Sequence, residues 1–263
     1  MALRVIILTS SITGTPAYFV PTIFEKSSVE IVTVIVSQNK TVKKKNSLQK
    51  RIKKVAKIGI FGAINGISMR SWFSEKRDHF LPKSDNLVNF CAKNGIKLQF
   101  TPTINCQETI NFFIEAKADL AISTGNSYIG KRVFNIPKYG MVNSHGEILP
   151  DYQNGQSVIW QLYNMSNQTG YTLHKVNSKI DQGEIIYQER FDIDFKATLS
   201  ETVAYNCAEI TKRAALGLVK VLDDFEVYYQ NARPQGKGNH YTTPSIWQFF
   251  KIWKNYKTLT KKQ

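Results

Sequence analysis

Apolar residues in the first half of the chain form short continuous runs that alternate with amphipathic segments. The runs at 3–9, 30–37 and 119–125 are rich in β-branched and other aliphatic residues, which is typical of strands buried on both faces of a sheet. Residues 107–118, which precede the third run, repeat their apolar positions with helical spacing. This alternation of strands and helices predicts a parallel sheet with right-handed crossovers.

The second half of the chain departs from this pattern. Residues 170–177 alternate between apolar and polar positions, as in an antiparallel or edge strand, and 183–193 form a further strand. A long amphipathic helix is predicted over 199–225. We therefore expect an α/β fold with a Rossmann-like, doubly wound, mostly parallel sheet and a small C-terminal helical extension. The predicted catalytic domain covers 1–195 and the extension covers 196–263.

The net charge of +15 is concentrated in two places. Residues 39–58 hold nine Lys or Arg and residues 251–263 hold five Lys, and neither segment contains an acidic residue. Such runs attract polyanions and acidic membrane surfaces, and they also occur as solvated faces. Residues 39–82 are predicted to be a basic insertion, with a basic helix followed by a compact apolar part. The insertion is either a helix pair packed on the sheet or a lid or membrane-facing element.

The rest of the composition is that of a globular protein. With 42% hydrophobic and 21% charged residues, the chain is not a disordered polyelectrolyte. It has no apolar stretch of membrane-spanning length, and its first residues lack the pattern of a secretion signal. Three widely spaced cysteines, Cys91, Cys106 and Cys207, argue against a disulfide framework or a zinc site. We therefore expect a cytoplasmic protein without a bound metal.

The candidate chemistry lies between residues 143 and 183. Asn143 and His145 are two residues apart at the end of a predicted strand, so their side chains project from the same face. Asp181 follows in a glycine-containing loop, within reach of the imidazole. An amide that stabilises an oxyanion, together with a His–Asp pair that moves protons, suits acyl transfer to an amine. Taken alone, the same spacing also fits an Asn and a His with structural roles.

The residues around these three side chains resemble the formyltetrahydrofolate-dependent formyltransferase family. Three stretches carry the resemblance in the family's order: N-S-H-G-E-I-L-P-D-Y-Q-N at 143–154, T-G-Y-T-L-H at 169–174 and D-Q-G-E-I at 181–185. The family patterns are N-x-H-x-x-L-L-P-x-Y-R-G, T-G-x-T-x-H and D-x-G-x-I. The resemblance implies the formyltransferase fold and 10-formyltetrahydrofolate as the formyl donor.

By this resemblance, Asn143, His145 and Asp181 are the catalytic residues. The residues implied to contact the folate lie at the end of the predicted strand 119–125, in the loop after it and in two later turns: Thr124, Gly125, Asn126, Ile129, Leu149, Asn177 and Gly183. His174 is expected to support its strand. The chain departs from the family at Glu147, which is expected to add an anion near the substrate mouth.

The acceptor is less sharply defined than the donor. Nucleotide-linked amino-sugar N-formyltransferases are the most similar members, because they combine the core with a modest C-terminal extension. The resemblance therefore implies a nucleotide-linked amino sugar as the partner, in the assembly of cell-surface polysaccharide such as lipopolysaccharide. Methionyl-tRNA and glycinamide ribonucleotide are the alternative acceptors. A non-catalytic protein on the same fold, which binds polyanions or membranes through its lysines, is the alternative of another class.

The extension contributes two further features. Its loop 236–241 resembles a turn in which an aromatic side chain stacks on a base, and it also fits an ordinary surface turn. Its tail repeats Ile246, Phe249, Phe250 and Trp253 at helical spacing among lysines. This stripe predicts either a homodimer contact or an interfacial helix on a membrane surface. Nucleic acid is not expected as a partner.

Overall fold

The computed structural model describes residues 2–38, 52, 55, 56 and 58–261. Most of the predicted basic helix lies outside these residues. The part of the predicted insertion that follows it contains the helix Ile60–Ser68, a 3-10 helix over Met69–Phe73 and one turn of helix at Glu75–Asp78.

Seven strands form one sheet: β1 Arg4–Thr9, β2 Glu30–Ser37, β3 Leu98–Thr101, β4 Leu120–Thr124, β5 Met141–His145, β6 Gln168–Lys175 and β7 Ile185–Asp192. Their order across the sheet is β3-β2-β1-β4-β5-β6-β7. Strands β1 to β5 pair in parallel, whereas β6 is antiparallel to both β5 and β7. The predicted α/β class with a mostly parallel, doubly wound sheet is confirmed, and the antiparallel strand β6 is covered on its outer edge by β7.

The remaining helices cover both faces of this sheet or follow it: Thr15–Lys26, Leu87–Lys93, Gln107–Ala116, Lys131–Phe134, Ile159–Tyr163, Leu199–Asp223, Phe225–Gln230 and Ile246–Thr260. None of the helices within the described residues combines the length and the apolar character that crossing a bilayer requires.

The burial of strand β1 on both faces explains why its apolar run is continuous. Val5 and Ile7 belong to one hydrophobic cluster and Ile6 and Leu8 to a second one, so the strand is buried on both faces. The first cluster also contains Leu218 and other residues of the helix Leu199–Asp223, together with part of the helix Ile246–Thr260. The cluster therefore continues across the position, between 195 and 196, where the sequence predicts a domain boundary.

Gly217 lets the helix Leu199–Asp223 approach the sheet closely. A Cβ atom at this position would overlap the ring and hydroxyl of Tyr171, whose side chain is completely buried on β6. The Tyr171 hydroxyl cannot move away easily, because it donates a hydrogen bond to Glu189 Oε2 at 2.9 Å. The close contact between helix and sheet therefore depends on a residue without a side chain.

We predict that Gly217→Ala destabilises the protein. Alanine favours a helix over glycine by about 1 kcal/mol, but overpacking against Tyr171 costs roughly 1–3 kcal/mol and has no room to relax. The free energy of unfolding, measured in urea, should therefore fall. The neighbouring Leu216 is exposed, so Leu216→Ala is the control and should change stability by less than about 0.5 kcal/mol. A more stable Gly217→Ala variant would contradict the described packing.

Candidate active site

A cavity of about 480 Å³ opens at the carboxyl ends of β4 and β5. This edge, next to the point where the strand order reverses between β1 and β4, is where open α/β sheets bind ligands. Its walls come from residues in the ranges 123–129, 143–145, 154–155 and 174–181. Asn143, His145 and Asp181 all line it.

The register of the sheet brings these side chains together. Asn143 and His145 lie on the same side of β5, and their antiparallel partners on β6 are His174 and Thr172. Asp181 belongs to the loop after β6, and its Oδ1 lies 3.8 Å from His145 Nδ1. The structure thus brings together the amide, the imidazole and the carboxylate that the sequence predicts as a group.

The contacts of His145 determine which of its nitrogens can accept a proton. Nε2 lies 3.2 Å from the carbonyl oxygen of Tyr152, which can only accept a hydrogen bond. The neutral ring therefore carries its proton on Nε2 and donates it to Tyr152. The other nitrogen, Nδ1, keeps its lone pair on the side of Asp181, so a second proton would arrive next to a carboxylate.

His174 has a more specific role than the structural support that the sequence suggested. Its Nδ1 donates to the carbonyl of Lys175 at 2.9 Å, and its Nε2 lies 3.2 Å from Asn143 Nδ2. Burial, and then the neighbouring His145, lower the pKa of His174 to about 4, so the ring is neutral. Nε2 therefore accepts a hydrogen bond from Asn143 and orients its amide. The pairing of positions 143 and 174, which depends on strand register, is the signal that would have identified it.

Asp181 is held by its backbone as well as by its surroundings. Its φ is 55°, in the left-handed region, and its Oδ2 accepts a hydrogen bond from the Asn154 backbone N–H at 3.0 Å. Asn177 shapes the same loop, since its Oδ1 accepts from the Lys179 N–H and its Nδ2 donates to the Gln182 carbonyl. These bonds leave the other carboxylate oxygen, Oδ1, directed towards the two histidines.

Four of the predicted folate contacts line the cavity: Gly125, Asn126, Ile129 and Asn177. Asn126 also ties its loop to β1, because its Nδ2 donates to the Leu8 carbonyl at 2.6 Å and its Oδ1 accepts from Ser10. Gly125 has a φ of 68°, which favours glycine at the point where the chain turns after β4.

The other three predicted folate contacts, Thr124, Leu149 and Gly183, are not among the lining residues. Thr124 and Leu149 are buried behind it. A Cβ atom at Gly183 would overlap the carbonyl of Lys175, so this glycine lets two backbone segments pass closely. These three residues therefore pack around the cavity, and their contact with a folate stays a prediction.

Glu147 does not lie at the mouth of the cavity, where the sequence suggested an additional anion. It is only 1% exposed, and its Oε2 accepts a hydrogen bond from Gln161 Nε2. Its Oε1 has no hydrogen-bond partner among the described residues and lies behind Gly155 of the cavity wall. Burial raises the pKa of Glu147 to about 8, although the bond from Gln161 lowers it. The side chain is therefore a mostly neutral acid at neutral pH.

The C-terminal extension contacts the loops around the site, which the sequence did not predict. The backbone N–H of Gln153 donates to the Asn239 carbonyl at 2.9 Å, and the N–H of Tyr241 donates to the Gln153 carbonyl at 3.0 Å. His240 Nε2 also lies 3.3 Å from Gln182 Nε2, next to Asp181 in the chain. The loop around residue 240 is thus attached to both loops that carry or hold Asp181.

Behind this loop lies a second cavity, of about 350 Å³, with aromatic walls that include Trp160, Tyr163 and Tyr241. Tyr241 stacks on Tyr152 with ring centroids 5.5 Å apart and an interplanar angle of 26°. Because Tyr152 also holds His145 through its carbonyl, the aromatic group is continuous with the candidate catalytic residues.

Comparison with known proteins identifies the class to which this fold and site belong. Residues 4–216 match the family model described as formyl transferase, so the chain belongs to this family and the resemblance in the sequence is confirmed. Among curated relatives, the methionyl-tRNA formyltransferase of Prochlorococcus marinus is 28% identical over 58% of this chain and 46% of its own length. The GDP-perosamine N-formyltransferase of Brucella melitensis is 33% identical over 37% of this chain and 38% of its own length. The chain thus spans less than half the length of these relatives.

Solved structures share the fold across nearly the whole chain. A sugar N-formyltransferase from Shewanella sp FDAARGOS_354 has a TM-score of 0.55 at 13% identity, covering 97% of this chain and 87% of its own. Glycinamide ribonucleotide transformylase 1 from Symbiobacterium toebii has a TM-score of 0.57 at 12% identity, covering 89% of this chain and 95% of its own. At these identities the likeness concerns the fold alone.

The raised pKa of Glu147 predicts a pH-dependent stability. Between the ordinary carboxyl pKa of 4.5 and the folded value of about 8, the folded protein holds one more proton than the unfolded chain. Stability should therefore fall as the pH rises through this window, by about 1.4 kcal/mol per pH unit at most. The Glu147→Gln side chain cannot titrate, so the stability of this variant should increase relative to that of the wild type as the pH rises. Urea unfolding across the window measures this difference.

The control for this measurement is Glu25→Gln, because Glu25 is exposed at the end of the helix Thr15–Lys26. It should keep the wild-type dependence of stability on pH. If Glu147→Gln also follows the wild-type curve at every pH, the carboxyl group is not buried as a neutral acid.

Proposed function

We propose that this protein transfers a formyl group from 10-formyltetrahydrofolate to the amine of a nucleotide-linked amino sugar. The observation that carries the proposal is the meeting of Asn143, His145 and Asp181 in the wall of one cavity, in a chain of the formyl transferase family. Assembly of a cell-surface polysaccharide such as lipopolysaccharide is the process in which we expect such a product to be used.

The residues of the cavity suit a folate. Ile129, Val176 and Ile180 contribute an apolar wall for a flat ring, and Gly125 leaves the backbone of the loop after β4 uncovered. 10-Formyltetrahydrofolate would supply the formyl group from one of its nitrogens and leave as tetrahydrofolate. Transfer forms a bond between the acceptor nitrogen and the formyl carbon, breaks the bond from that carbon to the donor nitrogen, and moves one proton from the acceptor to the donor.

The three candidate catalytic residues can supply the groups that this transfer needs. Asn143 Nδ2 uses one hydrogen for His174 and has a second one to donate to the formyl oxygen as negative charge develops there. His145 Nδ1 has a free lone pair that can accept the proton of the acceptor amine and return it to the donor nitrogen. Asp181, 3.8 Å away, balances the charge of the ring while it carries that proton.

The loop around residue 240 supports a nucleotide-linked acceptor. Tyr241 is partly exposed and lines the second cavity, and the buried Trp160 packs behind it with ring centroids 4.6 Å apart. Aromatic surfaces of this kind bind nucleobases by stacking. The name of the Brucella relative gives a nucleotide-linked sugar, GDP-perosamine, as its substrate, and the name of the Shewanella structure gives a sugar.

Methionyl-tRNA is the second candidate acceptor, and the nine Lys or Arg of residues 39–58 favour it because they suit a polyanion. The protein should be incubated with 10-formyltetrahydrofolate and, separately, amino-sugar nucleotides, methionyl-tRNA and glycinamide ribonucleotide. We expect an amino-sugar nucleotide to gain the mass of one carbonyl group. If only methionyl-tRNA is formylated, the proposed amino-sugar acceptor is wrong and methionyl-tRNA takes its place. If no amine is formylated, the proposal of an enzyme is rejected in favour of a binding protein.

We predict that His145→Ala lowers kcat by roughly a hundredfold or more, since a general acid–base typically contributes that much. The loss should appear in turnover under saturating substrates, because the ring acts on protons in the reaction. His79→Ala is the matched control, since His79 is exposed and does not line the cavity. Wild-type turnover in the His145 variant would exclude the proposed proton transfer.

We also predict that Tyr241→Ala raises the KM for the acceptor by about tenfold, because one stacked base contributes roughly 1–3 kcal/mol. Tyr241→Phe keeps the ring and should behave as the wild type. Tyr128→Ala is the contrasting variant, because Tyr128 lies in the loop after β4 and should affect the KM for the folate. If the KM for the acceptor is unchanged in Tyr241→Ala, the base of the acceptor does not stack on Tyr241.

A further inference from the structure

Two helices outside the active site carry a large share of the exposed apolar side chains. Ile60, Phe61, Ile64 and Ile67 are exposed on the helix Ile60–Ser68, and Phe61 reaches 70%. Trp247, Phe250 and Trp253 are exposed on the helix Ile246–Thr260, and Trp247 reaches 78%. We call these seven residues, together with the exposed lysines of the second helix and of its C-terminal end, the two-helix face. Exposed apolar groups at this density mark an interaction surface.

The two helices are neighbours. A Cβ atom on Gly62 would lie 3.2 Å from the Cα of Ser245, and one on Gly66 would touch the side chain of Thr243. Trp72, which follows the first helix, packs on Phe249 with ring centroids 6.2 Å apart. Since Gly62 and Gly66 mark the side of the first helix that faces the second, Ile60, Ile64 and Ile67 lie on its outward side.

The second helix divides the stripe that the sequence predicted as one surface. Phe249 and Ile246 are half-buried, whereas Phe250 and Trp253 are exposed together with Trp247. The predicted stripe is therefore partly internal packing, and its exposed members, Phe250 and Trp253, are joined on the outward side of the helix by Trp247.

The charge of this face is entirely positive. Lys251, Lys254, Lys257 and Lys261 are exposed, and residues 246–261 contain no acid. Within the described part of the chain, no ion pair involves these four lysines. Lys257 Nζ lies 3.8 Å from the ring centroid of Trp253, so the cation and the aromatic surface share one region.

We propose that the two-helix face docks on the surface of a bilayer that contains anionic phospholipid. Helices with exposed Trp and Phe beside lysines bind at the boundary between headgroups and acyl chains, where the rings enter the bilayer and the ammonium groups meet phosphate. A second copy of the chain would bring the same lysines together and repel. Nucleic acid would match the lysines and could stack on the tryptophans, but it would leave Ile60, Ile64 and Ile67 in water, whereas acyl chains cover them.

The test uses the full chain and vesicles of phosphatidylcholine, with or without phosphatidylglycerol. We expect flotation with the anionic vesicles, weakening with salt, and a shift of the tryptophan emission to shorter wavelength as Trp247 and Trp253 leave water. Trp247→Ser/Phe250→Ser/Trp253→Ser should lose about tenfold or more of the vesicle binding, since three apolar side chains no longer enter the bilayer. Lys251→Gln/Lys254→Gln/Lys257→Gln should weaken binding and reduce its dependence on salt.

The matched control is Phe100→Ser/Ile114→Ser, which removes two exposed apolar side chains from β3 and from the helix Gln107–Ala116. It should bind vesicles as the wild type does. Circular dichroism and formyl transfer in solution report whether each variant is folded. The proposal is rejected if the wild type does not float, or if the folded aromatic variant floats as well as the control. It is also rejected if the face mediates concentration-dependent self-association or RNA binding and vesicles do not compete.

Discussion

The antiparallel pairing of β5 with β6 is the constraint on which the candidate site depends. It places His174 opposite Asn143, so that a neutral, buried ring accepts a hydrogen bond from the amide and fixes its direction. The same pairing brings the loop after β6 back over His145, where Asp181 lies 3.8 Å from the ring. In a wholly parallel sheet, a crossover helix would follow β5, and the pairing of His174 with Asn143 in this register would not form.

Two glycines next to this pairing allow other segments to pack closely against β6. Gly183 lets the loop pass against Lys175, and Gly217 lets the long helix approach Tyr171 on the same strand. Both contacts would be blocked by a single added carbon atom. The position of the Asp181 loop therefore depends on local packing on β6 as much as on its own hydrogen bonds, such as that from Asn154.

The sequence alone predicted the sheet and the central chemistry, because both leave local signatures. Strands buried on both faces appear as unbroken apolar runs, as in β1, and residues two apart on a strand must share a face, as Asn143 and His145 do. The sequence did not predict the burial of Glu147, because a carboxylate is normally exposed and only the tertiary structure places Gln161 beside it. Nor did it predict the attachment of residues 239–241 to Gln153, because bonds between backbone groups have no side-chain signature.

That attachment has a consequence for how the specificity of such a protein can change. The bonds that fix the loop around residue 240 join main-chain atoms of Gln153 to those of Asn239 and Tyr241, so they persist when the side chains differ. Substitutions at residues such as Tyr241 can therefore change the aromatic surface of the second cavity. The strands that hold Asn143 and His145 need not change with them. Such a division allows one chemical step to be inherited unchanged by proteins that serve different amines.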